Sequence, residues 1–264
     1  MRIAEGVYIL PIPRGSRGAD GFLNLTLILD EQYGNTLIDA GLPGQEEAIG
    51  AALADAGIGV MDLKRIIFTH QDLDHVGSGA ALVRQSGAMV FAHPADAPHI
   101  DGSIRLLKPS PEMLEQRPQM REVLERLEPV RVDEHLEDGV LLDLAGGTRV
   151  IFTPGHTPGH LSLYLEQPKV LVAGDALTAE GGHLNGPNPP FTLDVGEAAR
   201  SVSKLAELDV DTVVCYHGGV VGEDANGQLQ RVVREASRER TSESNHAGSW
   251  HHDLRRNAGR LGSG

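Results

Sequence analysis

The apolar and polar positions of this chain fall into short β-branched runs separated by glycine-containing turns, starting with Gly6 to Ile12, Asn24 to Asp30 and Asn35 to Asp39. Such runs predict strands, and their close spacing predicts an antiparallel opening to a sheet. The period then lengthens. Gln45 to Ala56 has the spacing of an amphipathic helix, Arg65 to Phe68 reads as a buried strand, Val76 to Gln85 as a second helix and Ala88 to Ala92 as a strand. Pro94 to Glu128 is a mixed polar and apolar stretch with a helical segment over Glu112 to Leu127, an insertion suited to wall a pocket. Val140 to Phe152 predicts a hairpin turning at Gly146 and Gly147, followed by strands at Leu161 to Leu165 and Val170 to Ala173. Gly181 to Pro190 reads as a loop, Val195 to Leu208 as a helix, Thr212 to Tyr216 as a strand and Gln228 to Arg240 as a last helix.

Two sheet-plus-helix halves result, with no Pro- or Ser-rich linker between them, so a single two-layered domain over residues 1–240 is predicted. The remainder, Thr241 to Gly264, has neither helical nor strand period and is expected to be a mobile tail whose His251 and His252 need not be functional. The whole chain has 264 residues, 40% of them hydrophobic, enough for an ordinary buried core.

Composition narrows the partners. A formal net charge of −14 disfavours phosphate backbones and anionic membrane surfaces, which need an excess of Lys and Arg on the contact face. The single Cys215 cannot form an internal disulfide, and neither a signal peptide nor about 18 consecutive apolar residues occurs, so a cytoplasmic protein acting on a small molecule is expected.

The twelve histidines are not evenly scattered. Thr69-His70-Gln71-Asp72-Leu73-Asp74-His75 follows a predicted strand and holds four metal-competent side chains. In extended backbone His70, Asp72 and Asp74 point to one side, and the turn into the helix can bring His75 beside them. Imidazole and carboxylate are the usual ligands of catalytic zinc and also suit iron and manganese. Taken alone, the segment could equally be a polar loop in which Asp74 caps the next helix. Thr153-Pro154-Gly155-His156-Thr157-Pro158-Gly159-His160 follows another predicted strand, and by itself could be a Pro-Gly turn with incidental histidines. Gly174-Asp175 and His217-Gly218-Gly219 end two more. Four separate strands, each ending in a potential ligand and a loop, are what coincidence does not readily supply. No Gly-x-Ser-x-Gly elbow occurs, and Cys215 lies in a predicted buried strand, a core position rather than a nucleophile's.

These motifs, together with Leu37-Ile38-Asp39-Ala40-Gly41, resemble the metallo-β-lactamase-fold superfamily over roughly Gly6 to Glu223. The resemblance implies an αββα sandwich of two mixed β-sheets flanked by helices, and a binuclear centre. In it His70 and His156 bind one metal ion, with Asp72 at a further ligand position. Asp74, His75 and His217 bind the other, Asp175 bridges both, and Asp39 orients the ligand loop from behind. Asp39 could also simply end its strand and bond the Gly41 turn. The implied reaction is hydrolysis by a hydroxide held between the ions, steered by Asp74, with small esters, lactones and thioesters favoured over phosphodiesters. Glutathione thioesters stay within that range. One departure stands out: the superfamily usually has His-x-His-x-Asp-His, and here Asp72 replaces the second histidine. Two divalent ions, a hydroxide and the carboxylates of Asp72, Asp74 and Asp175 sum to zero, one charge less than with histidine at 72, which argues for manganese or iron beside zinc. The acid at 72 also suggests an alternative, a diiron oxidoreductase, and a non-catalytic metal-binding module is a third. Leu106, Leu107, Met113 and Phe191 are candidates for apolar pocket contacts or, equally, ordinary packing residues, and His93, His160 and His183 are undecided.

Overall fold

The computed structural model describes residues 1–15 and 21–238. Seven strands form the first sheet, in the order of the sequence: β1 (Arg2–Ala4), β2 (Val7–Pro13), β3 (Phe22–Ile28), β4 (Asn35–Ile38), β5 (Leu63–Ile67), β6 (Met89–Ala92) and β7 (Glu134–His135). β1 to β4 pair antiparallel and β4 to β7 parallel. The second sheet holds β8 (Leu141–Leu142), β9 (Thr148–Phe152), β10 (Leu161–Leu165), β11 (Val170–Val172), β14 (Thr212–Cys215) and β15 (Gly219–Val221), in the order β15-β14-β11-β10-β9-β8. Only its β11–β14 pair is parallel. Both sheets are therefore mixed, as the resemblance implied.

Strand alternation builds the layers. Val7 and Ile9 of β2, with Ile28, Ile38 and Ile67, turn inward and meet Val150, Leu161, Leu163, Leu165, Val170 and Val214 of the second sheet. The opposite faces are covered by helices: Leu25, Leu27, Leu37 and Ile66 pack on Ile49 and Leu53 of helix Glu46–Asp55 and on Leu82 of helix Gly79–Ser86. On the other side Leu171, Val213 and Cys215 pack on Val202 and Leu205 of helix Val195–Leu205 and on Leu229 and Val232 of a helix over 225–238. Each fully buried Leu or Ile contributes roughly 1.5–3 kcal/mol. Among the described residues no helix is long and apolar enough to cross a membrane.

Several elements differ from expectation. The helix predicted over Val76 to Gln85 is two pieces, Leu73–Val76 and Gly79–Ser86, because the Gly77 and Ser78 N–H groups donate to the Gly41 and Ala40 carbonyls instead of continuing a helical ladder. Glu112 to Leu127 also splits, into Pro111–Gln116 and Gln119–Leu124, at Arg117 (φ −134°), where the ring of Pro118 disfavours helical backbone in the residue before it. The predicted loop Gly181 to Pro190 contains half of a two-stranded ribbon, β12 (Thr178–Glu180) with β13 (His183–Asn185), which turns at Gly181 and Gly182. The expected tail from Thr241 lies outside the described residues.

Candidate metal centre

Four strand ends on two sheets converge. β5 runs into Thr69 and His70, β9 into Gly155 and His156, β11 into Gly174 and Asp175, and β14 into Tyr216 and His217. One ligand atom each from His70, His156 and Asp175 lie within 4.8 Å of one another, and so do those from Asp74, His75 and His217. Asp175 touches both sets: its Oδ1 is 3.4 Å from His75 Nε2, and its Oδ2 is 3.4 Å from the Nε2 atoms of both His156 and His217.

The imidazoles are oriented from behind. Asp39, held in left-handed backbone (φ 64°) that Asp tolerates better than most residues, accepts from Thr69 N at 2.8 Å, Thr69 Oγ1 at 2.8 Å and His75 Nδ1 at 2.9 Å. The Thr69 hydroxyl is committed to Asp39, so His70 Nδ1–H donates to Thr69 Oγ1 at 3.0 Å. Thr192 Oγ1, which gives its own proton to Asn188 O, faces His156 Nδ1 at 3.4 Å. Each of these rings therefore has its Nδ1 engaged from behind and turns its Nε2 toward the common space. Among the described residues, five buried side-chain polar atoms lack a hydrogen-bond partner, and four belong here: His70 Nε2, His75 Nε2, Asp72 Oδ1 and Asp175 Oδ1. Buried polar atoms are nearly always satisfied, so four orphans aimed at a common space fit a cation donor set.

Electrostatics agree with that geometry. Burial pushes the Asp175 and Asp72 carboxyls up, but the surrounding histidines, and Lys108 beside Asp72, reverse this and hold both well below the usual range. Asp74 lies at about 2 against the same burial, through its hydrogen bond from His217 and the charge of His75. Burial, then the charge of His75, lowers His70, whereas Asp39 and Asp175 override burial to raise His75 well above its ordinary value. His217 is raised to about 9, Asp175 and Asp74 outweighing its burial.

His160 is brought to the centre but faces a different way. Its Nε2 accepts from Asp175 N at 2.9 Å and its Nδ1 bonds Thr153 Oγ1 at 2.8 Å, so it fixes the backbone that presents Asp175. His93 instead stacks on Phe152, ring centroids 4.3 Å apart, and exposed His183 lies in the ribbon beside Glu180; neither joins the ligand sets. Cys215 is fully buried, and burial raises its thiol, which suits a core residue.

Two residues escaped the sequence reading. Asp96 is fully buried and accepts from Gln71 N, Gln71 Nε2, Thr157 Oγ1 and Gly159 N at 2.7–3.3 Å, pinning the two histidine loops to each other. Lys108 reaches in from the insertion, its Nζ 2.6 Å from Asp72 Oδ2 and 2.9 Å from His156 Nε2. Asp96 precedes a helix and resembles a cap in sequence. Lys108 is a lone lysine in a mixed stretch with no periodic signal. Asp72 Oδ2, 3.3 Å from His70 Nε2 and 3.0 Å from His156 Nε2, thus belongs to an ion pair as well as to the imidazole cluster. Counting Lys108 restores the charge that Asp72 removes, which takes away the electrostatic reason for manganese or iron.

The cluster opens into a cavity of about 250 Å³ lined by Arg14, Leu42, Met113, Arg117, Met120 and Phe191 among others. Met113 and Phe191, two of the residues singled out for apolar contact, line this cavity. Leu106 lines a neighbouring cavity instead, and Leu107, half exposed, lines neither, because its segment turns Lys108 rather than the leucines toward the site.

The sequence pattern of the Metallo-beta-lactamase superfamily matches residues 19–217. The chain is 31% identical to a probable metallo-hydrolase, YflN, of Bacillus subtilis (strain 168), over 78% of this chain and 84% of that protein. It is 27% identical to a hydroxyacylglutathione hydrolase of Chelativorans sp. (strain BNC1), over 72% of this chain and 60% of the longer relative. Among solved structures it is similar to a metallo-beta-lactamase family protein from Thermus thermophilus, with TM-score 0.72, 26% identity, and coverage of 89% of this chain and 80% of that one.

Proposed function

The chain belongs to the metallo-β-lactamase superfamily and is a metal-dependent hydrolase, and from that premise we propose that it cleaves small esters, lactones or thioesters with two divalent ions, zinc in preference to others. The observation that carries the reading is Asp175, one carboxylate whose two oxygens reach histidines of both ligand sets. His70 and His156, with Asp72 beside them, would hold one ion and Asp74, His75 and His217 the other. Zinc, borderline in softness, accepts this mixture of imidazole and carboxylate. Ions so held supply Lewis acidity and a hydroxide nucleophile at neutral pH.

The protein's own residues do the rest. Asp74, ionised at neutral pH, accepts a hydrogen bond from the attacking water and steers it, while Tyr216 fixes the Asp74 backbone by donating to its carbonyl. Asp39, Thr69 and His160 keep ligand rings and backbone from reorienting as charge develops. Met113, Met120 and Phe191 offer apolar contact to the acyl part of a small substrate, and the basic lining of Arg14 and Arg117 suits a polar or anionic end in a chain otherwise strongly acidic.

Metal quantification coupled to a panel of esters, lactones, thioesters and β-lactams tests this. Asp175→Ala is expected to lose metal and to lower turnover by roughly 10²-fold or more. Unchanged turnover, or metal uptake with no turnover on any member of the panel, would refute it.

A further inference from the structure

The charges that line the cavity divide into two groups. Asp72, Asp74, Asp175 and His217 belong to the ligand cluster, and so does Lys108, whose Nζ lies 2.6 Å from Asp72 Oδ2 and 2.6 Å from the Phe191 carbonyl and braces one against the other. Among the described residues of the lining, the other charged ones are Arg14 and Arg117, and neither side chain makes a hydrogen bond or an ion pair with a described residue. The chain carries 37 acidic against 23 basic residues, so a lining whose remaining charges are both cationic runs against its composition. Salt screens exposed charges beyond about 8 Å, so these two groups, and not the net charge of the chain, act on a ligand seated in the cavity.

Arg117 is built into the wall. It separates helix Pro111–Gln116 from helix Gln119–Leu124; its N–H donates to the Met113 carbonyl at 2.9 Å and its own carbonyl accepts from Met120 N at 3.0 Å, so it stands between two methionines that also line the cavity. The guanidinium lies over the Phe191 ring, 6.0 Å from its centroid, a contact that uses the charge and leaves the N–H groups for another acceptor. Phe191 is fixed in turn, because its N–H donates to the Asn188 carbonyl at 3.1 Å and its carbonyl accepts from Lys108. One connected set of contacts thus runs from Asp72 through Lys108 and Phe191 to Arg117 and fixes the spacing between the ligand cluster and a guanidinium with donors to spare. Arg14, whose N–H donates to the Gly21 carbonyl at 3.0 Å across the β2–β3 hairpin, supplies the second cation.

We infer that the substrate carries a carboxylate at the end remote from the scissile bond: its acyl chain lies against Met113, Met120 and Phe191, and Arg117 holds the terminal carboxylate, with Arg14 adding charge. A guanidinium presents parallel N–H groups that match the two oxygens of a carboxylate. A cavity of about 250 Å³ is below the range of pockets for drug-sized ligands and suits a short half-ester or half-thioester of a dicarboxylic acid. Arg117 is a specificity-determining residue. This rests on the reading above, that the centre hydrolyses small esters or thioesters.

The zinc-loaded full chain, assayed by nitrophenolate release, tests it on p-nitrophenyl half-esters of succinate, glutarate and adipate, on the same esters with the far carboxylate methylated, and on isosteres ending in an ammonium. Both arginines are exposed, so the expected preference is moderate: kcat/KM for the best half-ester about 10-fold above its methylated form, a wider gap over the ammonium form, and both gaps narrowing at high salt. Arg117→Met, which keeps an apolar stem and removes charge and donors, should bring the carboxylate and methylated forms to within about threefold, and Arg117→Lys should keep more of the gap. Arg14→Gln should remove a smaller part of it, and Arg117→Glu should turn the preference toward the ammonium. Equal kcat/KM for half-esters and their methylated forms, or a preference that survives both Arg117→Met and Arg117→Glu, would overturn the proposal and leave the hydrolase reading in place, since the methylated esters are still cleaved. Should a variant fail to fold, the wild-type ranking and its salt dependence still decide. No turnover of any of these esters overturns both.

Discussion

His217 and Asp74 show how the centre stores charge at the level of single residues. In the metal-free protein His217 is raised to about 9 from an ordinary 6.5, so the stability it contributes is complete below pH 6.5 and is lost as pH rises through about 9. Asp74 has the opposite sign: lowered from 3.8 to about 2, it contributes above pH 3.8 and loses that contribution as pH falls through about 2. A ligating imidazole must be neutral, so metal binding removes the His217 contribution. The thermal midpoint of the chelated protein is therefore expected to decline between about pH 6.5 and 9, and the metal-loaded protein to lack that component. Melts across this range check it, and His217→Gln should make the chelated profile shallower without abolishing its slope, since His75 is raised as well; a slope unchanged by the substitution assigns it elsewhere. At this scale the histidines and Asp175 were legible because each follows a β-branched run and precedes a glycine or a turn. Asp96 and Lys108 were not, because a buried carboxylate with four donors and a buried ammonium with three acceptors owe their roles to partners 25 or more residues away in sequence.

At the scale of elements, the longer strands were read to within a few residues, and two helices read as continuous are each broken in two. Periodicity registers the apolar stripe of Val76 to Gln85 but not the demand of Ala40 and Gly41 for two N–H donors that interrupts it. Short edge strands such as β1, β7 and β15 carry too few residues for a period to show. The Pro-Gly loop before His156 illustrates how an element positions the chemistry. Gly155 has φ 126°, and a Cβ there would sit 2.2 Å from Ala198 N in helix Val195–Leu205. Backbone strain and overlap add, so Gly155→Ala is expected to cost roughly 3 kcal/mol and to displace His156 with the helix. Gly57→Ala is the control: φ is 92° but nothing lies within 4 Å of its Cβ, so strain alone should cost about 1 kcal/mol. Denaturant unfolding of the two variants should separate them, and equal losses would show that helix contact does not hold the loop.

Across the molecule, the centre lies where the two sheets are joined. The first sheet contributes His70, Asp72, Asp74 and His75, and the second contributes His156, Asp175 and His217. Away from the cluster the sheets are held by apolar packing, in which Leu161, Leu163 and Val150 are fully buried against Val7, Ile28 and Ile67. At the cluster itself apolar burial gives way to imidazoles and carboxylates, joined by backbone bonds such as Leu161 N to Thr69 O at 2.8 Å, Asn24 N to Tyr216 O at 3.0 Å and the Leu23–His217 bridge. Cations bound there would clamp the open end of the sandwich. Ligands that bind only the folded state stabilise it by mass action, about 4 kcal/mol at a thousandfold excess over Kd. For a chain of this size that corresponds to a thermal midpoint roughly 8–16 °C higher with metal than after chelation. Hydrogen exchange locates the effect: protection should fall most on chelation at 67–75, 153–160, 173–175 and 215–217, and least at the β2–β3 pairing from Val7 to Ile28, which lies away from the cluster. A uniform loss over both sheets would mean that the ions support global stability without clamping this junction, and an unchanged midpoint would mean that the protein, with or without them, is held by its apolar core alone.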